Sequence, residues 1–107
     1  MTVDLAFVAQ PTRQQILRMV WHSERTAGDI AAAMPVTFGA VSQHLGALRK
    51  AGLVRLRRQG RVHWYAAERE AFGALAPALE EMWFGKLSEL KRIAEAEQRR
   101  IDRARSN

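Results

Sequence analysis

The sequence contains no cysteine among its 107 residues. This absence excludes a disulfide framework, and it excludes any metal site or redox switch that depends on a thiolate of this chain. There is also no run of about 18 apolar residues, the length that a membrane-spanning helix needs. Residues 1–10 lack the basic and apolar segments of a secretory signal. We therefore expect a cytoplasmic protein with no part in the membrane.

Residue combinations that support catalysis are missing as well. His22, His44 and His63 lie on three different predicted elements, and the sequence shows no glycine-rich phosphate loop, nucleophile elbow or paired carboxylates. No two of these histidines have a spacing suited to one metal ion, although counting alone leaves open a histidine and carboxylate site between protomers. We predict no catalytic residues, no metal site and no cofactor, and hence a protein that is not an enzyme.

What the sequence does contain is positive charge in one region. The formal net charge is +6, and all of this excess lies in residues 1–67, whereas residues 68–107 are neutral overall. Residues 49–61 include six Arg and Lys side chains and no acid. A surface that contacts phosphate groups requires such a stretch. The alternative is a basic face that interacts only with solvent.

Hydrophobic periodicity predicts several short helices in the first half of the chain. Apolar residues recur with helical spacing over 12–22, directly after Pro11, which suits the first turn of a helix. Thr26 and Asp29 resemble a capping box, with Asp in place of Glu, that opens a short helix through Ala33.

A further helix is predicted over 37–51. Thr37 is suited to cap it, its apolar residues recur every three or four positions, and Gly52 closes it. Only a few residues, including Pro35, separate it from the preceding helix. Two helices this close together, the second polar on its outer face, are typical of a helix-turn-helix.

Beyond Gly52 the apolar residues alternate with a period of two. This alternation over 53–67, interrupted at Gln59 and Gly60, predicts a two-stranded hairpin. A hairpin that directly follows a helix-turn-helix is a wing. We therefore predict one domain over 1–107, mainly α-helical with a two-stranded β-hairpin, in a winged helix-turn-helix arrangement.

The helical pattern returns after residue 68. Pro77 predicts a break near Ala76, followed by a long helix over 76–104 that serves dimerisation. Its apolar stripe exceeds what a small domain needs, although a helix that covers its own domain is the alternative. We predict a homodimer joined through this helix, with an interface formed by Leu79, Met82, Trp83, Leu87 and Leu90.

Double-stranded DNA is the predicted partner. The major groove admits a helix, and short polar side chains near its N-terminus then meet the edges of the bases. Gln43 can form two hydrogen bonds with adenine, whereas Gly39 and Ala40 allow the helix backbone to approach closely. The alternative is that Ser42 and Gln43 are merely solvated. The candidate contacts on this helix are Thr37, Phe38, Gly39, Ala40, Ser42, Gln43, His44 and Arg49.

The wing supplies a second group of candidate DNA contacts. Arg57, Arg58, Arg61 and His63 can reach phosphates or the adjoining minor groove, of which phosphates are favoured. For His63 an ordinary strand residue is the competing interpretation.

These segments resemble a known family. PTRQQILRMV, TAGDIAAAM and TFGAVSQHLGALRKAGLVRLRRQGRVHWY are similar, in order and spacing, to the ArsR family of bacterial winged-helix repressors, and the likeness covers residues 5–93. The last helix, with MWFGKLSELKRI, is similar to the small autorepressor-like members. The resemblance implies a homodimer, joined through its first and last helices, that represses its own or a neighbouring operon until a signal releases the DNA. It thereby implies that the first helix, with Leu5 and Val8, also takes part in the interface.

The resemblance also bears on metal binding. The family's thiolate sensors place cysteines at positions that correspond to Thr26 and Gly28, and its other common site uses histidines of the final helix, where this chain has none. Both sites are therefore absent, which leaves the inducer unknown. Two other functions stay open. One is a sensor with an organic ligand in a pocket lined by Trp21, Trp83 or Phe84, and the other is a winged helix that binds only proteins.

Overall fold

The computed structural model describes residues 3–105, and for residues 86–89 it describes the backbone only. Its helices and strands confirm the predicted fold class, mainly α-helical with one two-stranded antiparallel hairpin. In chain order the elements are α1 (Leu5–Ala9), α2 (Pro11–Val20), α3 (Ala27–Ala32), α4 (Phe38–Lys50), β1 (Val54–Gln59), β2 (Val62–Ala67), a 3₁₀ helix (Arg69–Phe72), α5 (Leu75–Phe84) and α6 (Lys86–Arg105).

Side-chain caps determine where the two helices of the helix-turn-helix begin. The hydroxyl of Thr26 accepts a hydrogen bond from the backbone N–H of Asp29 at 3.0 Å, and the Asp29 carboxylate accepts one from the N–H of Thr26 at 3.4 Å. This is the predicted capping box. The hydroxyl of Thr37 likewise accepts a hydrogen bond from the N–H of Ala40 at 3.1 Å. Each cap satisfies backbone donors that a helix start leaves unpaired.

Glycine ends α4 and directs the chain into the wing. Gly52 has a φ of 77°, and its N–H donates to the carbonyl oxygen of Arg49 at 2.9 Å. The N–H of Leu53 donates to the carbonyl oxygen of Leu48 at 2.9 Å. These two bonds form a Schellman motif, in which the left-handed residue is normally glycine. Helix α4 and the first strand of the wing are thus joined by a tight, hydrogen-bonded turn.

The wing is a hairpin with a two-residue loop. Its register pairs Gln59 with Val62 and Arg58 with His63, which leaves Gly60 and Arg61 at the tip. Gly60 has a φ of 61°, as the first loop residue of a type II′ turn requires. The base of the hairpin is held by a further pair of hydrogen bonds, because Arg25 and Tyr65 exchange backbone N–H and carbonyl groups at 2.9 and 2.8 Å.

The core of the unit that ends at Gly73 explains the spacing of its apolar residues. Side chains from α2, α3 and α4 are fully withdrawn from solvent, and Trp21 packs edge-on against Phe72 with their ring centroids 5.0 Å apart. The fully buried side chains are Ile16, Leu17, Val20, Ile30, Val41, Leu45 and Leu48. The outer face of α4 is therefore left to its polar and small residues.

The C-terminal segment differs from the predicted helix over 76–104. The helix begins at Leu75, next to the predicted start near Ala76, but it is not continuous: α5 and α6 occupy this range and are separated at Gly85. Pro77 lies in the first turn of α5, where a missing N–H costs no helical hydrogen bond. At Gly85 the backbone is extended, and a Cβ would lie 2.2 Å from the carbonyl oxygen of Glu81. Glycine thus ends α5 where the apolar pattern alone predicted continuity.

Within the predicted domain over 1–107, the chain forms two compact units. The first unit ends at Gly73, which follows the 3₁₀ helix and has a φ of 54°. The second begins at Ala74 and consists of α5 and α6. No helix of the described residues is both long and apolar enough to cross a membrane.

Candidate nucleic-acid interface

The exposed residues of α4 form two rows along the helix. Residues three, four or seven positions apart lie on the same side of a helix. One row contains Phe38, Ser42 and Arg49, and all three are exposed. The other row consists of Gly39, Gln43, Gly46 and Lys50, which are also exposed. Apart from Phe38, the exposed surface of α4 therefore consists of polar and small residues.

The second row brings the backbone of α4 to the surface on both sides of Gln43. Gly39 and Gly46 carry no side chain, and they lie one turn before and one turn after Gln43. Apart from the two chain neighbours and the nearby backbone of α4 itself, no described atom lies within 4 Å of the position that a Cβ would take at Gly46, and the nearest such atom at Gly39 is the hydroxyl oxygen of Thr37 at 3.9 Å. Packing in the protomer therefore does not require glycine at either position, although glycine weakens a helix.

Gly46 is a residue that the sequence analysis missed. The small residues predicted to allow a close approach of the backbone, Gly39 and Ala40, both lie in the N-terminal half of the helix. Gly46 follows Gly39 by seven residues and Gln43 by three, so helical spacing alone would have placed it in the same row.

His44 lies outside both rows. It is half-buried, and partial burial followed by the positive charge of Arg13 lowers the pKa of its imidazole below the ordinary value of 6.5. The lowered pKa favours the neutral imidazole at pH 7. His44 is therefore less suited than the exposed arginines to interact with a phosphate.

The two faces of the wing carry different arginines. Successive side chains of a strand point to opposite faces, and directly paired residues share a face. Arg58 and His63 are paired and occupy one face together with Tyr65, whereas Arg57 and Trp64 are paired and occupy the other. The predicted group of wing contacts is thus divided between two surfaces.

Arg57 is held by partners within the protomer. Its Nε donates to the Glu24 carboxylate at 2.8 Å, its Nη1 donates to the side-chain oxygen of Gln59 at 3.3 Å, and its guanidinium lies 5.8 Å from the ring centroid of Trp64. Arg58 and Arg61, in contrast, form no ion pair within the part of the chain that the structure describes. These two side chains retain their full charge for an external anion.

A crevice connects the wing to α4. It encloses about 450 Å³ between the start of α3, the first turn of α4 and strand β2. Phe38 and Ser42 line it from α4, and Arg61, Val62 and His63 line it from the hairpin. The structure therefore places residues of both predicted DNA-binding groups around one depression of the surface.

The residues predicted for the dimer interface fall into two groups. Val8, Leu79 and Trp83 are buried within the protomer, so they offer little free area to another chain. Leu5, Met82 and Leu90 are exposed apolar side chains. The side chain of Leu87 lies outside the described residues.

The described residues contain no metal-binding cluster, and the predicted aromatic rings line neither of two surface pockets. In the described residues, no three His, Asp or Glu side chains are grouped closely enough to hold a metal ion. Trp21 contacts Phe72 and is almost fully buried. The centroids of the Trp83 and Phe84 rings lie 6.1 Å apart, and these rings line neither the crevice beside the wing nor a second pocket between Phe7, Leu53 and Glu70.

A helix-turn-helix with an exposed second helix, followed directly by an arginine-bearing hairpin, defines a winged helix-turn-helix protein. The profile of the bacterial regulatory protein family arsR matches residues 10–55. The HTH-type transcriptional regulator Rv2034 of Mycobacterium tuberculosis is 31% identical over 90 residues, which cover 84% of each chain. The chain belongs to the ArsR family, and it is a transcriptional regulator.

Solved structures support the same family. HlyU from Vibrio cholerae, which is named a transcriptional activator, superposes with a TM-score of 0.66 at 29% identity and covers 74% of this chain and 86% of its own. A winged helix-turn-helix DNA-binding domain of Mb0332 from Mycobacterium bovis, described as homodimeric, gives a TM-score of 0.63 at 28% identity and covers 78% of each chain.

Proposed function

We propose that this protein is a homodimeric transcriptional repressor that binds a specific operator in double-stranded DNA. Two copies join through their terminal helices and present two α4 helices to successive major grooves. The cytoplasm, where bacterial DNA lies, is the compartment that this function requires. No catalytic step and no cofactor enter the proposal.

The proposal depends mainly on the exposed row of α4 that contains Gly39, Gln43 and Gly46. Gln43 lies between the two glycines, and packing within the protomer does not require glycine at either position. A duplex that approaches this row meets the helix backbone and a side chain able to form two hydrogen bonds with adenine. Arg58 and Arg61, free of ion pairs within the described chain, supply the positive charge that phosphates on either side of the groove need.

Dimerisation is supported by apolar side chains that the protomer leaves in solvent. Leu90 and Ile93 of α6 are 60% and 57% exposed, and Met82 of α5 is also exposed. Exposed large apolar residues on neighbouring turns of a helix mark a contact surface. A second copy of the chain covers this apolar surface. It also supplies the second α4 helix, which binds the other half-site of the operator.

An electrophoretic shift assay tests the proposal. The full-length protein is titrated into the promoter fragment upstream of its own gene and into random duplex of equal length, each at two salt concentrations. We expect the promoter to be bound at least 1,000-fold more tightly, and both affinities to fall with salt. Equal affinity for the two duplexes contradicts the proposal and favours a winged helix that binds only proteins.

A reporter fused to the same promoter determines the sign of regulation. Deletion of the gene raises expression if the bound dimer excludes polymerase, which is the outcome that we expect. Lower expression after deletion assigns activation instead, as the name of HlyU records for that relative.

A further inference from the structure

Phe38 is a large apolar side chain in an unexpected place. It is the first residue of α4, and 59% of its surface is exposed. Among the described residues up to Gly73, the only other exposed large apolar side chains are Leu5 and Val62. Phe38 and Val62 line the same crevice, whose rim carries Arg61 and His63. An apolar pair therefore lies within a polar and cationic surface.

The fold gives no reason for an aromatic residue at this position. The start of α4 is capped by Thr37, and the helix is anchored by Val41, Leu45 and Leu48, which are all fully buried. Phe38 does not belong to this core. A polar side chain at the first helical position would leave the cap unchanged and would expose less apolar surface to water.

The position of Phe38 determines which part of a duplex it can meet. Side chains of a helix point toward its N-terminus, so Phe38 extends beyond Ser42, which follows one turn later in the same row. The N-terminal residues of a recognition helix are those that reach base edges in the major groove. On these edges the thymine C5-methyl is the distinctive apolar group.

We propose that Phe38 recognises one thymine in each half of the operator through contact with its C5-methyl group. The inference rests on the DNA-binding function proposed above, and it assigns a base type to one residue of that interface. Arg61, on the opposite side of the crevice, contacts a neighbouring phosphate and holds the methyl group against the ring. The apolar surface that Phe38 leaves in solvent is thereby covered in the complex.

Replacement of thymine by deoxyuridine removes only the methyl group, which allows a direct test. A binding duplex is first selected from a randomised pool with the wild-type dimer. Each thymine is then replaced singly by deoxyuridine, and dissociation constants are measured by fluorescence anisotropy for the wild type, Phe38→Ala and Phe38→Leu. Val62→Ala, which removes the other exposed apolar side chain of the crevice, is the matched control.

We expect one thymine per half-site at which deoxyuridine weakens wild-type binding by about fourfold, the effect of losing one buried methyl group. Phe38→Ala is expected to bind thymine and deoxyuridine duplexes equally, whereas Phe38→Leu and Val62→Ala keep the sensitivity. Two results overturn the inference, namely no methyl-sensitive thymine at all or a sensitivity that persists in Phe38→Ala. In both cases a wild type that still selects a specific duplex leaves the proposed function intact.

Discussion

The unit that ends at Gly73 and the unit that begins at Ala74 differ in how completely their apolar side chains are buried. In the first, α2, α3 and α4 contribute fully buried residues, and caps and tight turns satisfy the helix ends. In the second, Leu79 and Trp83 are buried, but Met82, Leu90 and Ile93 remain exposed. The first unit contains a complete core, whereas the second presents apolar surface that still requires a partner.

Charge follows the same division. The excess positive charge lies within residues 1–67, and the remaining residues are neutral overall. Long-range attraction to a polyanion is therefore a property of the first unit. The second unit is neutral overall and exposes Met82, Leu90 and Ile93, which supports the proposal that it contributes to assembly.

The largest expected effect tests this division in α6. The double variant Leu90→Glu and Ile93→Glu places charges on the exposed apolar face, so we expect a monomer in analytical ultracentrifugation. Operator affinity then falls by about 100-fold or more, because two linked half-site contacts become one. Lys91→Glu, a neighbouring exposed position, is the control and is expected to remain dimeric. A dimer that persists in the double variant contradicts the assignment of assembly to α6.

A smaller loss of operator affinity is expected for a variant of Gln43, which lies between Gly39 and Gly46 on α4. Gln43→Ala should weaken operator binding by about 1–3 kcal/mol, since a side chain with two hydrogen bonds to a base is lost. Affinity for random duplex should hardly change, and the exposed Gln98→Ala on α6 should alter neither. Competition binding with both duplexes provides the measurement. Equal losses on the two duplexes would show that Gln43 contacts the backbone instead of a base.

The two faces of the wing offer a matched pair of arginines. Arg58→Ala should lower the slope of log affinity against log salt by about one, because one phosphate contact is lost. Arg57→Ala should leave the slope unchanged, since this guanidinium is paired with Glu24. Titrations at four or more salt concentrations separate the variants. If the two slopes fall alike, the face that carries Arg58 is not the side of the hairpin that meets DNA.

The smallest expected effect is that of Gly46→Ala, which should increase the stability of the free protein but decrease its affinity for the operator. Gly46→Ala should stabilise the free protein by about 0.5–1 kcal/mol, because alanine favours the helix and, apart from the chain neighbours and the nearby backbone of α4, no described atom lies within 4 Å of the new Cβ. The same methyl group should weaken operator binding, because the duplex approaches the backbone there. Thermal unfolding and operator titration of one variant measure both. Unchanged operator affinity would remove the close approach from the proposed interface.

The sequence predicted local features well where one side chain decides the outcome. Thr26 with Asp29, Thr37 and Gly52 each act within one turn of the backbone, and the structure contains the expected caps and helix end. The winged fold class is confirmed because its periodicities, first helical and then alternating, occur in the required order. The candidate DNA contacts remain predictions. The structure indicates which of these side chains are exposed and which have partners within the protomer.

Features that depend on packing were harder to predict. The partners of Arg57 are distant in sequence, so its pairing with Glu24 could not be recognised from the basic stretch alone. The apolar pattern shows which positions are apolar but not whether a side chain is buried within the protomer. It therefore could not predict the burial of Val8, Leu79 and Trp83. The break at Gly85 was not predicted because Pro77 is the more familiar helix breaker. In the first turn of a helix, however, proline removes no helical hydrogen bond.

The backbone pairing of Arg25 with Tyr65 has a mechanical consequence. These two hydrogen bonds fasten the root of the hairpin to the residue that leads into α3, and the turn after α4 fixes the other strand. The hairpin is therefore tied to the helix-turn-helix through both of its strands, so the wing and the helix pair form one hydrogen-bonded unit.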